Sequence, residues 1–278
     1  MNQTAFYDPQ TPIVLTIAGS DSGGGAGIQA DIKAISATGS YACSVITAIT
    51  AQNTCGVHAI HPIPIDYVQA QLDAVLSDLN VVAVKVGMLA DAEIIRVVAQ
   101  SLAAYQPKFL VVDPVMVATS GDSLLRASAV GALKKELLPL ADMITPNLPE
   151  AAALTGRATP TSEEEMGAMI DALRALGAKT VLLKGGHLEG ESSNDLLIER
   201  SGSELIRAKR VATHNTHGTG CTLSSAIASY LAQGYRLHKA VHLAKQYISQ
   251  AIAHADELSV GQGHGPVHHF FSGHQNVR

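Results

Sequence analysis

"PIVLTIAGSDSGGGAGIQADIKAISATG", Pro12 to Gly39, carries the reading that decides the fold. Its first eight residues form a short apolar run of strand-forming character, and its last twelve repeat apolar residues at helical spacing. Between them Gly19, Gly23, Gly24, Gly25 and Gly27 put five glycines into nine residues. A strand that passes into a helix through a glycine loop is where an open α/β sheet binds ligands. A tight turn with glycine at positive φ needs only one or two such residues, so five point to a backbone that a ligand approaches closely. The spacing of Gly23, Gly25 and Ile28 breaks G-x-G-x-x-G, and no Gly-Lys-Ser/Thr follows, so neither the dinucleotide fingerprint nor the Walker loop is present.

The same alternation continues outward through "SVITAITAQ", "IDYVQAQLDAVLSDL", "VVAVKVGM", "AEIIRVVAQSLAAY" and "KFLVVDPVM", and then through "DMITPN", a helix from about Glu163 to Leu176, and "TVLLKGGH". Continuous apolar strands between helical segments predict a central, mostly parallel sheet with helices on both faces. "NDLLIER" and "ELIRAKRV", divided at Ser201-Gly202, read as a β-hairpin that adds antiparallel strands. The last two helices are expected at roughly Cys221 to Gln233, stopped by Gly234, and Leu237 to Ala255. With no internal repeat, low-complexity segment or linker, residues 1–278 read as a single α/β domain with a core of about 12–270 and short tails.

A hydrophobic fraction of 47% fits a chain with a large core. The formal charge of −5 is spread along the chain without a basic block, which disfavours nucleic acid and a polybasic membrane surface as partners and leaves a small molecule. Cys43, Cys55 and Cys221 are too few and too scattered for a disulfide framework or a metal knuckle, so a cytoplasmic location is expected. No basic leader region opens the chain, and no apolar run approaches the ~18 residues of a membrane span.

Two further regions carry chemistry. In "HNTHGTGCTLSSAI", His214 to Ile227, the helical spacing begins at Leu223 and places Gly218, Thr219, Gly220 and Cys221 in the first turn. Unpaired N–H groups there, with the helix dipole behind them, suit a phosphate. A thiol at that position is expected to have its thiolate favoured, although a free cysteine also serves as a small buried apolar residue. Asp113 in "DPVM", and Asn147 and Glu150 in "ITPNLPEAAALTG", follow strand ends, where carboxylates reach the cleft and suit Mg²⁺. Glu150 also suits a helix first turn as a complement to the dipole. Lys184 in "LLKGGH" reads as a point charge for nucleotide phosphates or as a strand-end lysine reaching solvent. The histidines of "GHGPVHHFFSGH" lack a recognised ligand spacing and read as a surface or packing tail.

"TIAGSDSGGGAGIQADIK", "SVITAITAQNT", "KVGML", "DPVM", "TPNLPEA", "LLKGGH" and "NTHGTGCTLSSAIA" together resemble, in order and wording, the hydroxymethylpyrimidine and phosphomethylpyrimidine kinases of thiamin biosynthesis, from about Pro12 to Phe270. The resemblance implies a ribokinase-like fold, a homodimer, use of MgATP, and two successive phosphoryl transfers. The first goes to the hydroxymethyl group of 4-amino-5-hydroxymethyl-2-methylpyrimidine and the second to the resulting monophosphate. Carried onto matching positions, it implies a pyrimidine site at Gly19, Ala26, Asp31, Gln52, Met88 and Val115, with the Gln52 amide reading the aminopyrimidine edge. ATP phosphates are implied near Asn147, Lys184 and Thr216, and the metal near Asp113 and Glu150. Sugar kinases of the same fold usually carry Asp as general base where this chain has Cys221, as its own family and some pyridoxal kinases do. The competing readings are a pyridoxal or pyridoxine kinase of the same fold and a non-catalytic nucleotide- or metabolite-binding regulator.

Overall fold

A computed structural model describes residues 11–116 and 127–273. Residues 1–10 and 274–278, which include most of the tails expected at both ends and His274 of the histidine-rich segment, lie outside the described residues. Within them, β1 (Ile13–Asp21), β2 (Tyr41–Asn53), β3 (Gly56–Pro62), β4 (Val81–Val86), β5 (Phe109–Val112), β6 (Met143–Ile144), β7 (Thr180–Lys184), β8 (Asp195–Ile198) and β9 (Ser203–Ile206) form one sheet. Its order is β3-β2-β1-β4-β5-β6-β7-β8-β9. The helices are α1 (Gly27–Ala37), α2 (Ile65–Asp78), α3 (Ala92–Tyr105), α4 (Ala127–Ala132), α5 (Leu148–Thr155), α6 (Glu163–Ala168), α7 (Ile170–Arg174), α8 (Thr219–Ala232) and α9 (Leu237–Ala253).

The six strands from β2 to β7 in sheet order pair in parallel, and both flanks are antiparallel. At one flank β8 pairs with β7 and β9 with β8, as the hairpin reading expects. At the other, β3 turns back on β2, which the sequence analysis does not anticipate. The reason is that "GVHAIHP" is mostly exposed and carries neither an apolar run nor clean alternation.

Alternate strand residues feed two cores. Leu15, Val84, Val112 and Ile144 face one side with residues of α2, α3 and α5, while Val14, Ala83, Val111 and Met143 face the other with residues of α1, α8 and α9. Burial on both faces explains why these strands read as continuous apolar runs. Three boundaries differ from expectation. The helix placed at 163–176 breaks at Met169, two residues after the helix-weakening Gly167. α8 starts at Thr219, and α9 ends at Ala253 before a 3₁₀ turn at Ala255–Glu257. The histidine-rich tail is a packed strap: His268 and His269 are buried, and His217 bridges to Pro266.

Candidate active site

A cavity of about 760 Å³ opens at the carboxyl ends of the parallel strands. Asp21, at the end of β1, folds its carboxylate back over the glycine loop. It accepts the N–H groups of Gly23 (2.8 Å), Gly25 (3.0 Å) and Ala26 (2.8 Å), and lies 2.8 Å from His217 Nε2. Burial alone would raise the Asp21 pKa, but hydrogen bonds from His217 and the loop backbone outweigh it and hold the carboxyl below its usual range. The glycines here are required: Gly218 has φ +80°, and a Cβ on it would lie 1.9 Å from the Gly25 carbonyl oxygen. The glycine loop and the α8 entry loop thus touch backbone to backbone, which only a residue without a side chain permits. No side chain caps α8; the Thr219 N–H turns back to the Thr216 carbonyl at 3.3 Å, and the N–H groups of Gly220 and Cys221 that follow suit an anion.

Against this turn sits a charged floor. Lys184 Nζ lies 2.8 Å from Asp113 Oδ1 and 4.0 Å from Glu150 Oε2. Thr145 donates to Asp113 at 3.0 Å. Gly220 closes over the pair, since a Cβ on it would stand 3.1 Å from Lys184 Nζ. Asn147 and Glu150 form a reciprocal cap at the start of α5, with the Asn147 N–H donating to Glu150 and the Glu150 N–H to Asn147, both at 2.8 Å. Glu150 therefore serves the helix start, as one of its two readings expects, and it also lines the cavity. Burial raises Glu150 to about 7 despite the opposing Lys184 charge, with Asp113 adding to the rise. For Asp113, the charges of Lys184 and Lys85 outweigh burial and hold the pKa down.

Of the remaining expected residues, Gly19, Ala26, Gln52, Met88, Val115 and Thr216 line this cavity with Gly218, Thr219 and Cys221. The Gln52 amide oxygen lies 3.1 Å from the Thr50 hydroxyl, which also reaches the Ser20 carbonyl at 2.8 Å, and the amide nitrogen is 3.4 Å from His217 Nε2, whose proton goes to Asp21. Asp31 is the exception. It is fully buried beneath the glycine loop, where it accepts from Lys85 Nζ (2.8 Å to each oxygen), Thr16 (2.6 Å) and Ser225 (2.7 Å), and it does not border the cavity. The spacing on α1 explains this: Asp31 falls on the helix face turned to the sheet, so its carboxylate answers the lysine of β4.

The expectation of a favoured Cys221 thiolate is also corrected. The thiol faces the Gly27 N–H at the start of α1, but burial, with Asp31 and Asp113 nearby, raises its pKa to about 11 even against the Lys85 charge. Removal from water outweighs the helix-terminus effect, so the group is a neutral thiol near pH 7.

The sequence profile of phosphomethylpyrimidine kinase matches residues 21–268. The chain belongs to the phosphomethylpyrimidine kinase family. This family member is 57% identical over 262 residues to a hydroxymethylpyrimidine/phosphomethylpyrimidine kinase of Rhizobium meliloti, covering 94% of this chain and 97% of the relative. Among solved structures, a phosphomethylpyrimidine kinase of Clostridium difficile matches at 48% identity and a TM-score of 0.77, over 87% of this chain and all of that one. A pyridoxal kinase of Bacillus subtilis in an ADP complex matches at 37% identity and a TM-score of 0.87, over 93% and 97% of the two chains. The ribokinase-like architecture implied by the sequence motifs is thus the fold of this kinase.

Several residues in and beneath the kinase cavity are absent from the sequence reading, most of them for want of a local signal. Asp21 and His217 looked like ordinary loop residues until the fold joined them across 196 positions. Arg210 donates to the carbonyls of Gly186, Leu188, Gly190 and Ser192 and so fixes the loop that forms one wall. Lys85 was visible as the one charge inside an apolar strand, a pattern that predicts a buried partner without naming it.

Proposed function

We infer that this chain is a hydroxymethylpyrimidine/phosphomethylpyrimidine kinase of thiamin biosynthesis, using ATP as phosphoryl donor. In this reading it phosphorylates 4-amino-5-hydroxymethyl-2-methylpyrimidine and then the monophosphate. The observation that carries it is the meeting, in one cavity, of the uncapped first turn of α8, the Lys184–Asp113 floor and the Gln52 amide. The N–H groups of α8 would stabilise charge on the transferring phosphoryl group, and Lys184 would turn from Asp113 toward the phosphates. Asp113 and Glu150, two buried carboxylates on the same floor, fit as holders of Mg²⁺, which when bound neutralises phosphate oxygens. Asn147 and Thr216 border the same phosphate region. Gln52 would donate to a ring nitrogen and accept from the adjacent exocyclic amine, while Met88 and Val115 supply apolar contact. A loose phosphoryl-transfer transition state asks little of a base, which fits a neutral Cys221.

Other parts of the reading have separate support. All three cysteines are free, in keeping with a reducing, cytoplasmic location. Tyr41, Ile49 and Ile60 leave apolar side chains exposed along β2 and β3, at one edge of the sheet, and this edge suits a homodimer contact, which light scattering tests. Among the described residues no helix is long and apolar enough to cross a membrane.

A coupled assay of ADP release over a panel of hydroxymethylpyrimidines and B6 vitamers tests the function. ADP release that depends on the aminopyrimidine, and continues with its monophosphate, is expected. Faster turnover of pyridoxal would favour the alternative vitamer kinase, and binding without ADP release a regulator.

A further inference from the structure

On the far side of α9 from the sheet centre, three ligand-type side chains converge. His238 and His242 stand one helical turn apart on α9, and Glu204 reaches them from β9, the outermost strand of the sheet. Glu204 Oε2 is 2.5 Å from His238 Nε2, and Oε1 is 3.1 Å from His242 Nε2. Their three ligand atoms all lie within 4.8 Å of one another, and the two imidazole rings sit side by side with centroids 4.4 Å apart. Among the described residues no other group of three or more His, Cys, Asp or Glu side chains meets this condition.

We propose that Glu204, His238 and His242 form a binding site for a divalent transition metal of the zinc class, separate from the kinase site. Paired histidines at i and i+4 present their nitrogens to one point, the same spacing that holds zinc in helical His-x-x-x-His motifs. A carboxylate only accepts hydrogen bonds, so both Nε2 atoms now donate protons to Glu204. A metal takes the place of those two protons. Each neutral imidazole moves its proton to Nδ1 and offers the Nε2 lone pair, so coordination changes neither oxidation state nor the proton count. Ligands in a tetrahedral zinc site stand about 3.3 Å apart, as bond lengths of about 2.0–2.1 Å require. Reaching that spacing asks only a small outward shift of half-exposed side chains. Two imidazoles and one carboxylate select zinc, copper or nickel over Mg²⁺, which prefers oxygen ligands, and the fourth position is left to water.

The site has a structural consequence because of where α9 leads. Lys245 and Ser249 lie on the same face of α9 as the two histidines, three and seven residues beyond His242, and both line the kinase cavity. Lys245 is tied to β8 by a 2.6 Å ion pair with Asp195. A metal at the helix start replaces the present hydrogen-bonded tie from α9 to β9 with a coordinate one, and so braces the wall that α9 lends to the cavity.

The test is titration of the full chain with Zn²⁺, and with Co²⁺ followed by absorption, in excess Mg²⁺ and in a Cys55→Ser background that removes the exposed thiol. One Zn²⁺ per chain and a tetrahedral cobalt spectrum without thiolate charge transfer are expected. The melting temperature should rise by roughly 5 °C at zinc about 100-fold above its Kd. His238→Gln, His242→Gln and Glu204→Gln each remove a ligand and should weaken zinc binding by at least about tenfold, while kinase activity without zinc stays at the parent level. Because all three side chains are solvent-accessible, these variants keep the fold, and unchanged melting without zinc verifies it. Unchanged zinc affinity in all three variants, or cobalt bound through a thiolate, overturns the assignment.

Discussion

Lys184 and Asp113 meet in a 2.8 Å ion pair directly under the first turn of α8, with the absent side chain of Gly220 making room for it. Lys184→Ala removes the cation of this floor and leaves Asp113 and Glu150 as neighbouring buried carboxylates. Stability should fall by about 3 kcal/mol, as when one partner of a buried pair is deleted. Steady-state assays should show kcat/KM for both transfers reduced by roughly 100-fold or more. Calorimetry without nucleotide should find pyrimidine affinity largely unchanged; its loss in a folded variant counts against a phosphate-side role.

Cys221 gives a second expectation, set by a thiol whose pKa is raised to about 11 by burial. Such a group is not a base at neutral pH. Cys221→Ala keeps the backbone N–H of α8 and should slow both transfers alike, by less than about tenfold. Alkylation of the thiol should be slow at pH 7 and rise toward pH 11. A selective loss of the alcohol-phosphorylating step, with the monophosphate step intact, would restore the thiolate-base reading.

Gln52 lines the cavity with its amide oxygen 3.1 Å from the Thr50 hydroxyl and its amide nitrogen near His217. Replacing it with Met removes the paired donor and acceptor but keeps the size. Turnover of the aminopyrimidine should fall by about one to two orders of magnitude, since such an amide pair is worth ~1–3 kcal/mol in base recognition. Pyridoxal, which lacks the amino–nitrogen pair, should be little affected. Equal losses on both mean that Gln52 acts on the loop and not on the ligand.

Asp31 and Lys85 are both fully buried, at 2.8 Å, so their exchange is a test of structure rather than of binding. Asp31→Asn leaves a buried lysine without its counter-charge and should cost about 3–5 kcal/mol in denaturant unfolding. Adding Lys85→Met should recover at least half of that loss, because the unpaired charge is then gone. If Asp31→Asn instead leaves stability intact and abolishes pyrimidine binding, Asp31 belongs to the ligand site after all.

His269 links the C-terminal strap to α8 through Thr222 at 2.9 Å. Burial, aided by the charges of Lys33 and His268, lowers its pKa to about 4. The unfolded chain protonates this ring near pH 6.5 and the folded chain only near 4, so its contribution is fully present above 6.5 and is lost as pH falls through that window. The loss amounts to about 3 kcal/mol by linkage. Melting curves of His269→Gln should therefore change less between pH 7 and pH 4 than those of the parent.

What the sequence determined by itself was local or periodic. Continuous apolar runs and helical spacing gave the parallel sheet and its two helical layers, because strands buried on both faces admit few polar positions, and those few, such as Thr16 and Lys85, are paired. Glycine clusters marked both loops, since Gly218 and Gly25 tolerate no side chain where the backbones meet. The family motifs imply one site for Gln52, Asp113, Lys184 and the α8 turn, and all of them line the same cavity. Tertiary structure alone decided the rest. The partner of Asp31 lies 54 residues away on β4, and that of Asp21 lies 196 residues away at the entry to α8. The state of Cys221 depended on a balance between a helix terminus that favours the thiolate and a buried setting that disfavours it. Sequence shows the first effect, because it is set by neighbouring residues, but not the second, because the groups around the partly buried thiol, Asp31, Lys85 and Asp113, come from across the chain.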